Sequence, residues 1–146
     1  MNRATNGACP FVIPPVNLRL TSCLALLVLS ITGCTPPQHK AQNTLRSVGA
    51  AALRQQAAML YKNVFAAPVA GLMTIKRADW PPSFAAFAPL TVGAYRDGFA
   101  LAIARDSERE SGVYVIPAST DMQPRPTPRS RFERMEEGIY WYVFEL

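Results

Sequence analysis

The feature that most constrains this chain is a single apolar run, Leu20 to Ile31, followed closely by polar, proline-containing sequence. The run is twelve residues long, well short of the roughly 20 that a bilayer-spanning helix needs. Arg19 precedes it directly, and no acidic residue occurs before Asp79. A basic flank, a short apolar stretch and small residues at its end describe an export signal rather than a membrane span or a buried core helix. Residues 1–33 are therefore read as a signal segment, so the folded part must be built from what lies downstream. The eighteen residues before Arg19 include Pro10, Pro14 and Pro15 and read as loop; a translation start near Val16 or Leu18 accounts for them. Cys9 is then never made, and Cys23 departs with the signal.

The end of the run is more specific. Ile31-Thr32-Gly33-Cys34 resembles the lipobox of bacterial lipoproteins, an aliphatic residue and two small ones before a cysteine. The resemblance implies signal cleavage between Gly33 and Cys34, lipid attachment at the Cys34 thiol and acylation of the new amino terminus. Small residues let the chain enter a peptidase cleft extended, and only a thiol yields the thioether. In Gram-negative lipoproteins an Asp after the acylated Cys favours the inner membrane. Thr35 stands there, so the resemblance implies the outer membrane in such an organism, with the protein on the periplasmic side. Several acyl chains, at about 0.8 kcal/mol per buried CH₂, exceed the marginal hold of one chain. The resemblance covers the signal and Cys34, not the folded domain. With Cys34 occupied by lipid, no internal disulfide can form, although an exported compartment permits one; stability must come from packing.

From Cys34 onward 113 residues remain, enough for one modest core. Setting aside Arg3 and Arg19 lowers the basic count to 13 against 10 acidic residues. That small excess, the dispersal of the arginines and the exported location exclude nucleic acid as a partner. Residues 34–37 read as a lipidated tether, extended by Pro36 and Pro37, and 38–146 as a single α+β domain. Leu45, Val48, Ala52, Met59 and Leu60 recur at helical spacing and predict one long helix over about 38–66, weakened by Gly49 and closed by Pro68. Lys40, Arg46, Arg54 and Lys62 lie mostly off that stripe.

Beyond Pro68 the apolar period becomes two, and the sheet is expected over about 72–146. A strand at Leu72–Lys76 precedes a turn from Asp79, where Ser83 is expected to cap a short helical turn ended by Pro89. Strands at Leu90–Tyr95 and Phe99–Ala104 flank Arg96-Asp97-Gly98, a hairpin signal. Phe99, Leu101 and Ile103 face one side of the second strand and Ala100, Ala102 and Ala104 the other; the small face predicts where the helix docks. Arg105–Gly112 reads as a charged loop, Val113–Ile116 as a strand, and Arg131–Met135 with Ile139–Phe144 as a final hairpin. The last strand is apolar on both faces, as suits a covered position. The fold class is α+β, a long amino-terminal helix packed on a four- to five-stranded antiparallel sheet.

Catalytic constellations are missing from this pattern. The lone His39 stands five residues from Cys34, no Cys/His set reaches zinc-ligand number, and no Gly-rich phosphate loop or HExxH helix occurs. Asp97, Asp106, Glu108, Glu110, Glu136 and Glu137 read as turn and loop acids. No enzyme, metal or cofactor is inferred. Two features suit binding. One is the Arg/Pro-rich loop 123–134, with Arg125, Arg129, Arg131 and Arg134, whose planar forks suit carboxylate or phosphate. The other is the aromatic cluster Tyr140, Trp141, Tyr142 and Phe144. The leading expectation is a small lipid-anchored cell-envelope protein acting as a structural or protein-interaction module, its membrane contact made through the anchor. The alternatives are an envelope-polymer or small-ligand binding domain, with an anionic polymer as partner, and a minor pilin-like subunit with an uncleaved apolar helix. Mass spectrometry of the native protein should find its amino terminus at Cys34 with an added acyl mass; a terminus at Met1 without lipid overturns the export reading.

Overall fold

The computed structural model describes residues 35–66 and 72–146. The expected signal segment, the expected Gly33–Cys34 cleavage, the expected lipid attachment at Cys34 and the expected helix end at Pro68 lie outside the described residues. The unit Thr35–Leu146 is α+β with an antiparallel sheet, as the periodicities require. Its chain order is α1 (Pro37–Val48), α2 (Ala50–Val64), β1 (Met73–Ile75), a 3-10 turn (Arg77–Asp79), α3 (Pro82–Ala85), β2 (Thr91–Tyr95), β3 (Gly98–Arg105), β4 (Arg109–Val115), β5 (Ser130–Glu136) and β6 (Ile139–Glu145).

The long helix is two helices. Gly49 takes φ +84° and ψ 132°, a conformation that costs glycine little and other residues much. It both ends α1, donating its N–H to the Leu45 carbonyl, and accepts from the Leu53 N–H to start α2. The break moves the apolar stripe by one residue. Ala41 and Leu45 face inward from α1, but Leu53 and Ala57 do so from α2, while Ala52 and Met59 of the expected stripe are exposed. The tether is also shorter than expected, since Pro37 already occupies the first turn of α1, where a missing N–H is harmless. Ser83 is not a cap. It lies inside α3, its N–H donating to Gln56 Oε1 of α2 at 3.1 Å, so a neighbouring helix supplies the acceptor.

Among the described residues the sheet has six strands, not four or five, in the order β1-β2-β3-β4-β6-β5. The fourth and sixth strands are neighbours, and the fifth lies outside them at an edge. The DG hairpin forms, with Arg96 and Asp97 as its two-residue loop and Gly98 already paired to Tyr95. Gly98 has no positive φ; a Cβ there would lie 2.5 Å from the Val115 carbonyl oxygen. The glycine permits close strand approach. In the last hairpin the positive φ of a tight turn falls on Gly138, at +68°.

Arg105–Gly112 is mostly strand, contrary to the loop expected there. Only Asp106, Ser107 and Glu108 turn, held by Asp106 Oδ1 accepting the Glu108 and Arg109 N–H groups at 2.8 and 2.7 Å. Those two donors lower the Asp106 pKa from its ordinary value. Across the β3–β4 pair the register shifts between Ala102 and Ala104, a bulge that turns later side chains of β3 to the opposite face.

The helices pack on the large face of β3, not on its alanines. Leu45, Leu53, Ala57, Phe84, Phe99, Leu101, Val113, Val115, Ile139 and Trp141 form one buried cluster. Trp141, expected as a binding residue, is a core side chain 7% exposed. Ala100 belongs instead to a second cluster on the other face, with Tyr114, Ile116 and Tyr142. Its small side chain makes room for rings rather than for a helix. Arg54, expected on the solvated face of the helix, reaches inward. Its Nε donates to the Ile116 carbonyl at 3.2 Å, and one guanidinium nitrogen meets Glu137 Oε1 at 3.3 Å.

Gly112 faces the bulge. A Cβ there would come within 1.9 Å of the Leu101 carbonyl oxygen and 3.0 Å of the Ile103 nitrogen, atoms that cannot swing aside. Gly112→Ala should destabilise the fold by about 3 kcal/mol or more, as expected of overpacking against backbone. Gly93→Ala, where the nearest atom is the end of the exposed Leu72 side chain at 3.1 Å, should cost far less. Urea midpoints of the two variants check the contrast.

Candidate functional site

The site is the sheet face opposite the helices. Period-two alternation places Glu110, Gly112 and Tyr114 of β4 on that face, beside Tyr140, Tyr142 and Phe144 of β6 in register. Phe132 is added from β5, opposite Tyr142, and Tyr95 from the end of β2. Four of these rings form a closed circuit. Centroid separations are 5.9 Å for Tyr95–Tyr114, 5.4 Å for Tyr114–Phe132, 5.8 Å for Phe132–Phe144 and 6.5 Å for Phe144–Tyr95. Tilted and edge-to-face contacts at such distances are the favoured aromatic geometries.

Two carboxylates mark this face. At one end Tyr114 donates its hydroxyl to Asp97 Oδ1 at 2.5 Å. At the other, Glu110 is 8% exposed and accepts from the Tyr142 hydroxyl at 2.9 Å and from Arg105 Nε at 2.9 Å, with a second guanidinium nitrogen on the same oxygen. A charge so buried requires these partners. Arg105 reaches Glu110 only because of the bulge: without the extra residue, Arg105 would share the face of Leu101 and Ile103. Burial, then the neighbouring Glu110 and its hydrogen bond, raise the Tyr142 pKa. Burial, then the bond to Asp97, raise that of Tyr114. Tyr95 is raised by burial and, less, by Glu110 and Asp97. The hydrogen bond to Glu110 raises Arg105.

The Arg/Pro-rich segment forms a wall over this face. Because β6 lies between β4 and β5, the link from Val115 to Ser130 must travel the length of the sheet. Its start is fixed by the Ile116 N–H on the Gly138 carbonyl and the Ala118 N–H on the Arg54 carbonyl. Its end is a turn in which Thr127 and Ser130 exchange backbone bonds and their hydroxyls lie 2.8 Å apart. Pro124 is buried. Between wall and floor lies an open groove of about 1130 Å³, bordered by Tyr95, Tyr114, Phe132, Phe144, Met122 and Arg125.

The four expected arginines do not converge. Arg125 borders the groove; Arg134 borders a separate hollow with Arg54, Glu137 and Tyr140. Arg131 pairs with Val143 and lies on the opposite sheet face from Arg134. Arg129 enters the closing turn, its N–H on Thr127 Oγ1 and its carbonyl taking the Glu145 N–H. Arg96, Asp97, Arg105 and Glu110 were not among the expected site residues. The first two sit in a turn whose hairpin role explained them, and the last two depended on a bulge that period-two reading does not reveal. No group of three or more His, Cys, Asp or Glu side chains among the described residues is placed to hold a metal ion.

The raised tyrosines predict an alkaline weakness. Below about pH 10, folded and unfolded chains both keep the phenolic protons. Above it the unfolded chain releases protons that the folded chain retains, so stability falls as pH rises. The stability lost between pH 7 and pH 11, measured by urea unfolding, should be smaller for Tyr114→Phe/Tyr142→Phe than for the wild type. An equal loss would remove these tyrosines as its source. At pH 7, Tyr142→Phe alone should cost about 1–3 kcal/mol, because Glu110 loses a buried donor.

Compared with known proteins, the chain matches no family model, no curated protein and no solved structure.

Proposed function

We propose that this chain is a small lipid-anchored protein of the bacterial cell envelope that acts as a structural or protein-interaction module, with no catalysis inferred. The observation that carries this reading is the sequence Ile31-Thr32-Gly33-Cys34 at the end of a short apolar run with a basic flank. The compact unit starting at Thr35 is compatible with it, because an anchor at Cys34 is followed almost immediately by folded chain. In this reading the domain works close to a membrane surface, on the periplasmic side and, with Thr35 after the cysteine, at the outer membrane of a Gram-negative cell.

A second reading, that the domain itself binds a small ligand, is favoured by the aromatic groove, though with a different residue set from loop 123–134 as a whole. Arg125 is the one expected arginine that borders it.

The anchor is tested by growing cells with labelled palmitate. The wild-type protein should take up label and sediment with membranes. Cys34→Ser should take up none and should retain the signal segment. Label that persists in Cys34→Ser, or a wild-type protein that takes up none, overturns the reading.

A further inference from the structure

We propose that the groove over the aromatic face binds a single-chain anionic amphiphile, a long-chain fatty acid. Its hydrocarbon lies on the four-ring floor and its carboxylate against the guanidiniums of Arg96 and Arg125. The proposal does not depend on lipid attachment at Cys34.

Three observations select this occupant. The floor is a sheet face: Tyr95, Tyr114 and Phe144 stand on β2, β4 and β6, each hydrogen-bonded to a neighbour on both sides, and Phe132 stands on the edge strand β5. An extended peptide laid over these rings, instead of alongside β5, would find no strand backbone to pair with its own N–H and C=O groups, which are costly to bury unpaired. A hydrocarbon chain has no such groups.

The charges at the groove are complementary to an anion. Asp97, the one carboxylate among the described residues that borders it, already accepts the Tyr114 hydroxyl. Arg96 and Arg125 are exposed and, among the described residues, neither makes an ion pair. Guanidinium presents a planar pair of donors that suits a carboxylate.

The mouth is greasy as well. Leu72 and Met122 border the groove and are 60% and 53% exposed, among the few large apolar side chains so open to water. The groove, at about 1130 Å³, is somewhat larger than the roughly 300–1,000 Å³ usual for small-molecule sites, so a long flexible tail is accommodated.

The test uses the full chain in its native membranes with two photoactivatable probes of equal length, a diazirine fatty acid and the corresponding fatty alcohol. After ultraviolet irradiation, labelled peptides are mapped by mass spectrometry. The acid should label the segments around Tyr95 and Met122 and exceed the alcohol. Arg96→Glu/Arg125→Glu should lower acid labelling at least fivefold while alcohol labelling is kept. Leu72→Ser/Met122→Ser, a change of exposed residues only, should lower both. Equal labelling by acid and alcohol that charge reversal does not alter would mean an unselective apolar surface and overturns the proposal. So does the absence of ultraviolet-dependent label in those segments, or labelling there that excess oleate present during irradiation does not reduce. Lipid at Cys34 is attached without irradiation, so failure of the anchor reading is read separately in the unirradiated sample.

Discussion

One extra residue in β3 organises the face that carries the site. The bulge between Ala102 and Ala104 is accommodated only because position 112 of β4 has no Cβ to meet the Leu101 carbonyl. Beyond the bulge the side-chain alternation of β3 is inverted, so Arg105 leaves the helix-covered face and meets Glu110 on the other. Glu110 in turn orients Tyr142, whose ring sits 4.4 Å from that of Phe144. A backbone irregularity thus decides which side of the sheet receives a charge, and the charge decides how the rings are held.

The two faces are stabilised differently. Under α1, α2 and α3 the contacts are aliphatic and aromatic, and their strength comes from apolar area removed from water. On the other face much of the order comes from hydroxyl–carboxylate bonds inside an aromatic array. Such bonds contribute modestly when formed and cost more when one partner is missing. The strand order adds a geometric effect. Placing β6 beside β4 obliges the β4–β5 link to cross the sheet, and the prolines of that link keep it extended instead of collapsed on the rings. The groove is what remains between them.

Much of this fold is legible in the sequence. The alternation after Leu72 and the two hairpins at Arg96-Asp97 and Glu137-Gly138 correspond to elements in the structure, while the helical period over 38–66 belongs to two helices and not to the one long helix expected. The apolar character of Ile139–Phe144 on both sides corresponds to a strand paired along both edges. What eluded the pattern was non-local. Gly49 was visible as a weak point, but its φ of +84°, and hence the one-residue rotation of the stripe, depends on how α1 and α2 each settle on the sheet. The alanines of β3 signalled close approach without naming the partner, which is a set of rings and not a helix. Arg105 and Glu110 looked like solvated loop residues because a bulge shifts phase without changing composition. The arginines of 125–134 are adjacent in sequence yet divide between the groove, a turn and both faces of β5, since alternation separates neighbours on a strand.

Both margins of the sheet bear on how many copies can sit side by side. The inner margin, β1, is three residues long. The outer one, β5, presents exposed Arg131, Glu133, Arg134 and Glu136 and an irregular register between Arg134 and Glu136. Short, charged and kinked borders discourage another chain from continuing the ladder. Crowded copies of this protein would therefore not zipper edge to edge into a ribbon.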